Sequence, residues 1–313
     1  MTKKLSFNKM IIFGILVMFF YGIILLAFDI EKIGNVLNQI NPFYYVLIYP
    51  ITGLTLTVQA WRYQLTLSKL GITINFKDSF LIYAVGLSML LTPGGSGAVI
   101  KSYLLKRKTG KSFSSTTPVL IYEKWLELVA IVTIIGLFLI PVNVIESQII
   151  FGIGIALIGL VFFAFKNSLG LNFLNSILNR INFLHKFQVD VNEFQNSTKQ
   201  LVTTKSLLQL LSITYITKIL PMVAVYLVFT LFEPKIDIFT SSQIYFTSIL
   251  AGLLTFIPGG IIVTETGLLG LSIKFGFDVS TATVLVLLIR LLTFWFPTFV
   301  GFISLRFISI QEK

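Results

Sequence analysis

The sequence predicts an all-α polytopic membrane protein of about six full transmembrane helices plus two re-entrant broken-helix hairpins, arranged as an inverted repeat. Three observations carry this reading. Hydrophobic residues make up 55% of the 313 and charged residues only 12%, with a mean hydropathy of +0.90. Soluble domains carry about twice that charged fraction. Two apolar runs are interrupted by matching turns, Pro93-Gly94-Gly95 and Pro258-Gly259-Gly260. Most lysines and arginines fall on one alternating set of loops, which sets a path through a bilayer.

The first span is Met10–Phe28, behind Lys3, Lys4 and Lys9. It is long for a signal peptide's apolar region, and Asp29-Ile30-Glu31 stands where a small-residue cleavage site would lie, so it reads as an uncleaved helix. A second span runs from Pro42 to Ala60 and ends at Trp61-Arg62, an aromatic and a cation suited to the membrane interface.

Ser79–Thr92 would rise only about 21 Å as a helix, short of a hydrocarbon core of about 30 Å. The chain then breaks at Pro93–Gly97, because proline removes a backbone donor and glycine costs backbone entropy. It resumes over Ala98–Leu105. Cations flank both ends, Arg62, Lys69 and Lys77 before and Lys101 to Lys111 after, so the segment reads as a hairpin that enters from the cytoplasm and returns to it.

Thr117–Ile140 and Ile149–Phe165 are further spans. The polar stretch from Lys166 to Ser206 is too short for an ordinary soluble core. Within it Leu171, Leu174, Ile177, Leu178, Ile181 and Leu184 recur at helical spacing, as in an interfacial amphipathic helix or a helix capping the bundle. Leu207–Leu231 spans again. Ser242–Ile257 breaks at Pro258–Gly260 and resumes to Leu271 between cation-poor flanks, which makes an outer hairpin. Thr281–Phe307 is the last span.

The chain carries 24 lysines and arginines and a net charge of +11. Lys32, Lys235 and Lys274 are expected outside, and Lys124, Lys218 and Arg290 within spans; the other 18 are cytoplasmic, as are both termini. The excess charge is therefore positive-inside bias toward an anionic lipid surface and not a nucleic-acid footprint. Cysteine is absent, which excludes disulfide and thiol chemistry.

One transmembrane domain, residues 1–313, accounts for the whole chain. Residues 10–140 and 149–307 form two repeats of four elements, with the loop 166–206 in the second. A constant offset pairs Pro93 with Pro258, Gly94 with Gly259, Gly95 with Gly260 and Ser115 with Ser280. Paired Pro/Gly-interrupted segments in corresponding positions point to the binding site of a transporter.

Six ionisable residues near these breaks are the candidates: Lys101, Glu123, Lys124, Glu127, Glu265 and Arg290. A charge at a helix centre costs about 2.5–3.5 kcal/mol by insertion scales, so pairing or a wet cavity is expected. Glu123 and Glu127 share a helix face and should meet a cation or a substrate amine. Lys124 points elsewhere, and Lys218, followed by Pro221, is the weakest candidate. Structural ion pairs between the repeats are the plainer alternative. The hairpin tips, Pro93, Gly94, Gly95, Gly97, Pro258, Gly259 and Gly260, lead into half-helices whose starts, after Gly97 and after Gly260, offer backbone N–H groups that attract anions. The single histidine, His185, lies on the polar loop, and neither a metal-binding spacing nor a nucleotide-binding loop occurs, so no catalytic residue, metal or cofactor is expected.

At these residues the sequence resembles the transmembrane, flippase-like region of lysylphosphatidylglycerol synthases and their stand-alone relatives. The resemblance covers residues 40–305. It rests on Trp61-Arg62, Thr92-Pro93-Gly94-Gly95-Ser96-Gly97 with Lys101, Glu123-Lys124 with Glu127, Ile257-Pro258-Gly259-Gly260 with Glu265, and Arg290 to Pro297 with Gly301. That family usually has an arginine after the first Pro-Gly and an acid after the loop glycine, where this chain has Gly95 and Ala98. Lys101 and Lys124 stand where arginine is common. The chain shows no soluble aminoacyl-transferase domain.

The resemblance implies movement of a membrane lipid between leaflets, with aminoacyl-phosphatidylglycerol or a polyprenyl-phosphate-linked headgroup as substrate. Glu123, Glu127 and Glu265 would meet cationic or hydroxyl groups; Lys101, Arg290 and the hairpin tips would meet phosphate. An integral-membrane transferase on a lipid-linked substrate, an ion-coupled small-solute transporter and an accessory subunit are the alternatives.

Overall fold

In an apolar solvent every backbone donor and acceptor must be paired within the chain, and helices do this locally. The computed structural model describes Gly34 and residues 43–89, 96–140, 142, 144–166, 191–233, 235–255 and 257–308, and among them there is no strand. The expected first span at 10–28, the amphipathic stretch 171–184, His185 and the inner tip Pro93–Gly95 lie outside the described residues.

The first half contributes α1 (Phe43–Ser68), α2 (Phe76–Ser88), α3 (Ser96–Thr109) and α4 (Phe113–Phe138). Then come α5 (Ile145–Lys166) and the short α6 (Val191–Leu201). The second half contributes α7 (Thr204–Thr230), α8 (Ile238–Leu254), a 3₁₀ turn at Pro258–Gly260, α9 (Val263–Lys274), α10 (Val279–Arg290) and α11 (Phe296–Ser304). A π turn at Leu291–Trp295 joins α10 to α11. Among the described helices, α5, α7 and the continuous Val279–Ser304 rod are long and apolar enough to cross a membrane.

Helix ends are capped by short polar side chains. Asn75 accepts from the Asp78 amide, Ser112 from Ser115, Thr203 from Ser206 and Asp237 from Thr240. Asp278 accepts from the Ser280 and Thr281 amides at 3.0 and 3.1 Å. The Thr281 hydroxyl first, and then these amides, hold the Asp278 carboxyl below its ordinary range. Inside the helices, hydroxyls return to the preceding turn, as Thr55 does to Ile51 and Thr66 to Arg62, both at 2.8 Å.

Packing is centred on α1 against α7. Helix α2 lies against α1, α3 and α11, while α8 lies against α7, α9 and α4. Gly301 on α11 makes the α2 contact possible: a Cβ there would collide with the Ala84 carbonyl and stand 2.6 Å from the Ser88 nitrogen. Small residues at such crossings let two backbones meet. Helix α5 leaves Ile149, Ile153, Leu160 and Phe163 exposed as a lipid-facing side. Trp125 donates to the Ile158 carbonyl at 3.2 Å, and Ser147 bonds Thr247 at 2.9 Å, which fix α5 to α4 and to α8.

Two apolar cores result. One gathers Ala60, Tyr63, Leu67, Ile82, Leu105 and Leu126. The other gathers Leu128, Ile135, Val225, Phe229, Ile244 and Leu285. Helix α4 crosses from one to the other between Leu126 and Leu128, and α7 crosses between Leu210 and Ala224. Glu127 on α4 and Lys218 on α7 lie at this seam.

Candidate functional site

Helix α4 carries Glu123 and Glu127 one turn apart, on the face turned toward α1, α3 and α7. Arg62 of α1 is completely buried. Its Nη2 lies 2.7 Å from Glu127 Oε1 and 3.7 Å from Glu123 Oε1, and its Nη1 donates to Thr214 Oγ1 of α7 at 3.1 Å. Lys101 of α3 reaches Glu123 Oε2 at 2.8 Å, with its ammonium over the rings of Tyr63 and Tyr83, 4.8 and 4.7 Å from their centroids. Both rings are buried, so a cation–π contact here acts in a dry setting. Lys124 Nζ turns back to Glu127 Oε2 at 2.9 Å, and Lys218 Nζ of α7 stands 3.8 Å from the same oxygen.

The second group lies at the Pro258–Gly260 break. Arg290, the last residue of α10, donates from Nε to Glu265 Oε1 at 2.7 Å and from Nη2 to the Gly259 carbonyl at 2.9 Å. Its guanidinium rests 4.4 Å from the Phe294 ring centroid. The π turn begins at the next residue; such insertions re-aim side chains and recur at functional positions. Gly259 has φ 64°, and a Cβ there would run into Phe294, so only glycine fits this turn. Ile262 has φ 77°, a strained backbone for a β-branched residue, one turn before Glu265.

The six candidates therefore separate into two groups. Lys101, Glu123, Lys124 and Glu127 come together; Glu265 and Arg290 pair elsewhere. The expected cation opposite Glu123 and Glu127 is present, but three expectations need correction. Arg62, read as an interfacial residue at a helix end, lies at the centre of the cluster, because α1 continues through it to Ser68. Lys124 does not point away from the acids; its long stem bends back to Glu127 while its side chain stays 62% exposed. Lys218, ranked last, is 13% exposed and reaches the same carboxylate. Among the described residues, one cluster holds two acids and four cations and the other a single pair.

Arg62, Tyr63, Tyr83 and Thr214 were missed by sequence reasoning. A signal did exist. Ala60, Tyr63 and Leu67 continue the apolar stripe of α1 at helical spacing past Arg62, and each is at most 1% exposed. Among the described residues, no set of three or more His, Cys, Asp or Glu side chains is placed to hold a metal ion.

A mirrored feature links the groups. A residue of the helix that follows each break pairs with the next long helix: Lys101 with Glu123, and Glu265 with Arg290. The polarity is reversed between the two.

Relatives of the chain carry the same membrane character. A UPF0104 membrane protein of Methanothermobacter thermautotrophicus is 23% identical, over 93% of this chain and 95% of its own length. A UPF0104 membrane protein of Methanocaldococcus jannaschii is also 23% identical, over 98% and 97%. The family model described as the lysylphosphatidylglycerol synthase TM region matches residues 11–301, a range that takes in both charged groups. This helical, multi-pass membrane chain belongs to the lysylphosphatidylglycerol synthase transmembrane-region family.

Proposed function

We propose that the protein is a flippase-like translocator that moves a charged-headgroup lipid between the leaflets of the cell membrane. The observation that carries this reading is the charged cluster at the seam between the two apolar cores. Its members come from α1, α3 and α4 in one half and α7 in the other, so a change in how the halves pack would change the site. A purely structural bundle is held at least as well by apolar packing, and ionisable groups kept inside a membrane domain mark substrate paths.

Two inverted repeats, residues 10–140 and 149–307, each with a re-entrant hairpin, fit the packing. Several contacts in one half have a counterpart in the other: α1 on α2 and α7 on α8, α2 on α3 and α8 on α9, α2 on α11 and α8 on α4. In this arrangement both termini face the cytoplasm. The headgroup crosses through the polar seam while the acyl chains stay in lipid.

The test measures leaflet sidedness of aminoacyl-phosphatidylglycerol and polyprenyl-phosphate lipids in cells lacking the protein and in cells carrying Glu123→Gln. The expected result is retention of one lipid class on its side of synthesis. Unchanged sidedness and abundance of every class would sink the proposal.

A further inference from the structure

Resting on the translocator reading, we infer that the Arg62 cluster is an anion site for a lipid phosphate whose headgroup carries no amine, and that the Glu265–Arg290 pair is a closed latch. The two groups differ in charge. Among the described residues, Arg62, Lys101, Lys124 and Lys218 meet two acids, Glu123 and Glu127, which leaves an excess of two positive charges, with Lys124 at the exposed edge. Glu265 and Arg290 cancel.

Excess charge inside a membrane domain is costly unless a counter-ion balances it. The inner cluster also has unused donors, beside one acceptor without a hydrogen bond, Glu123 Oε1. Arg62 Nε is buried and makes no hydrogen bond. Lys218 Nζ, 3.8 Å from Glu127, is too distant for one. A guanidinium with a spare N–H beside two ammonium groups is the chemistry that takes phosphate oxygens. Lys124, exposed along most of its side chain, marks the open side of the cluster.

Charge then selects the headgroup. A phosphate monoester carries about −1.5 to −2 at neutral pH and matches the excess. A headgroup with added amines, such as lysyl-phosphatidylglycerol, brings cations into a site that already has too many. A polyprenyl phosphate with a free phosphate monoester therefore fits best, a headgroup-linked polyprenyl phosphodiester carries less negative charge, and the lysyl lipid does not fit. The outer group makes no such demand: its two charges cancel, Arg290 gives Nε to Glu265 and Nη2 to Gly259, both side chains of the pair are at most 5% exposed, and together they pin the turn at Pro258–Gly260.

The experiment measures binding to the full-length protein in detergent by native mass spectrometry, with farnesyl phosphate, lysyl-phosphatidylglycerol and inorganic phosphate as probes. Farnesyl phosphate should bind at least about tenfold more tightly than lysyl-phosphatidylglycerol, with free phosphate weaker still and competing at high concentration. Lys124→Gln should weaken farnesyl phosphate about threefold and Lys218→Met about tenfold, in line with their exposure. Both variants leave Arg62 paired with Glu127, so folding is retained. Equal or tighter binding of the lysyl lipid, or unchanged affinity in both variants, overturns the inference. Free phosphate binding as tightly as the lipid overturns the lipid assignment. Leaflet assays separate this from the translocator reading. A lipid that is moved but binds without regard to the four cations overturns only the anion site. A farnesyl phosphate that binds by charge, with no lipid moved, upholds the site and overturns translocation.

Discussion

Arg62→Met removes the one cation that touches both carboxylates of α4 and replaces it with an apolar chain of similar length. Breaking a buried pair from one side costs about 3–5 kcal/mol when a charge is left uncompensated. Here each acid keeps a partner: Glu123 holds Lys101 at 2.8 Å and Glu127 holds Lys124 at 2.9 Å. The loss should therefore fall to about 2–3 kcal/mol, including the hydrogen bond to Thr214. Arg62→Lys keeps the charge but cannot bridge Glu127 and Thr214 together, and should cost about 1–2 kcal/mol. At about 2 °C per kcal/mol for a chain of this size, the methionine variant should melt about 4–6 °C lower and the lysine variant about 2–4 °C lower. Scanning fluorimetry of purified protein in detergent reads both, with size-exclusion profiles to check folding. A double-mutant cycle with Glu127→Gln should give a coupling of at least about 1 kcal/mol. A methionine variant within 1 °C, roughly the noise of such a scan, or one more stable than the lysine variant, would refute the assignment of Arg62 as the hub of the cluster.

Arg290→Lys should loosen the outer turn, since one ammonium cannot reach Glu265 and the Gly259 carbonyl as the guanidinium fork does. Hydrogen exchange at residues 257–262 should speed up by about tenfold, and unchanged exchange would count against the latch. Gly301→Ala should destabilise by about 1–3 kcal/mol, because the added methyl meets α2 backbone that cannot swing away; a neutral melting shift would contradict that contact. Asp278 has a native pKa below its ordinary value, so its contribution is fully present above the unfolded value of about 3.9 and is lost as pH falls through the lower native value. Asp278→Ala should therefore cost about 1 kcal/mol at neutral pH and progressively less as the pH falls below the unfolded value and through the lower native one, as read from melting curves across that range. A deficit that persists undiminished in acid would exclude the cap as its cause.

Much of the helical layout was legible because membrane insertion acts on local sequence. Apolar runs, polar caps and Pro-Gly breaks announce themselves within a few residues, and α8, the Pro258–Gly260 turn and α9 follow them closely. Boundaries moved where a polar residue was taken as an end. Helix α1 runs on to Ser68 because Arg62 has buried partners on α4 and α7, which no window around Trp61-Arg62 contains. Lys218 was underrated for the same reason: its worth depends on Glu127, far away in the chain.

By itself the sequence determined that this chain is a helical membrane protein, which residues break its helices, and that a few charges must find partners inside it. Hydropathy and backbone pairing are properties of short segments, so they can be read from one strand of text. Only the tertiary structure decided which charges meet. Among the described residues, four cations share two acids at the seam, while Glu265 and Arg290 close on each other at the Pro258–Gly260 turn. Ion pairing depends on distances of a few ångströms between helices far apart in the chain, and those are set by how α1, α4 and α7 pack.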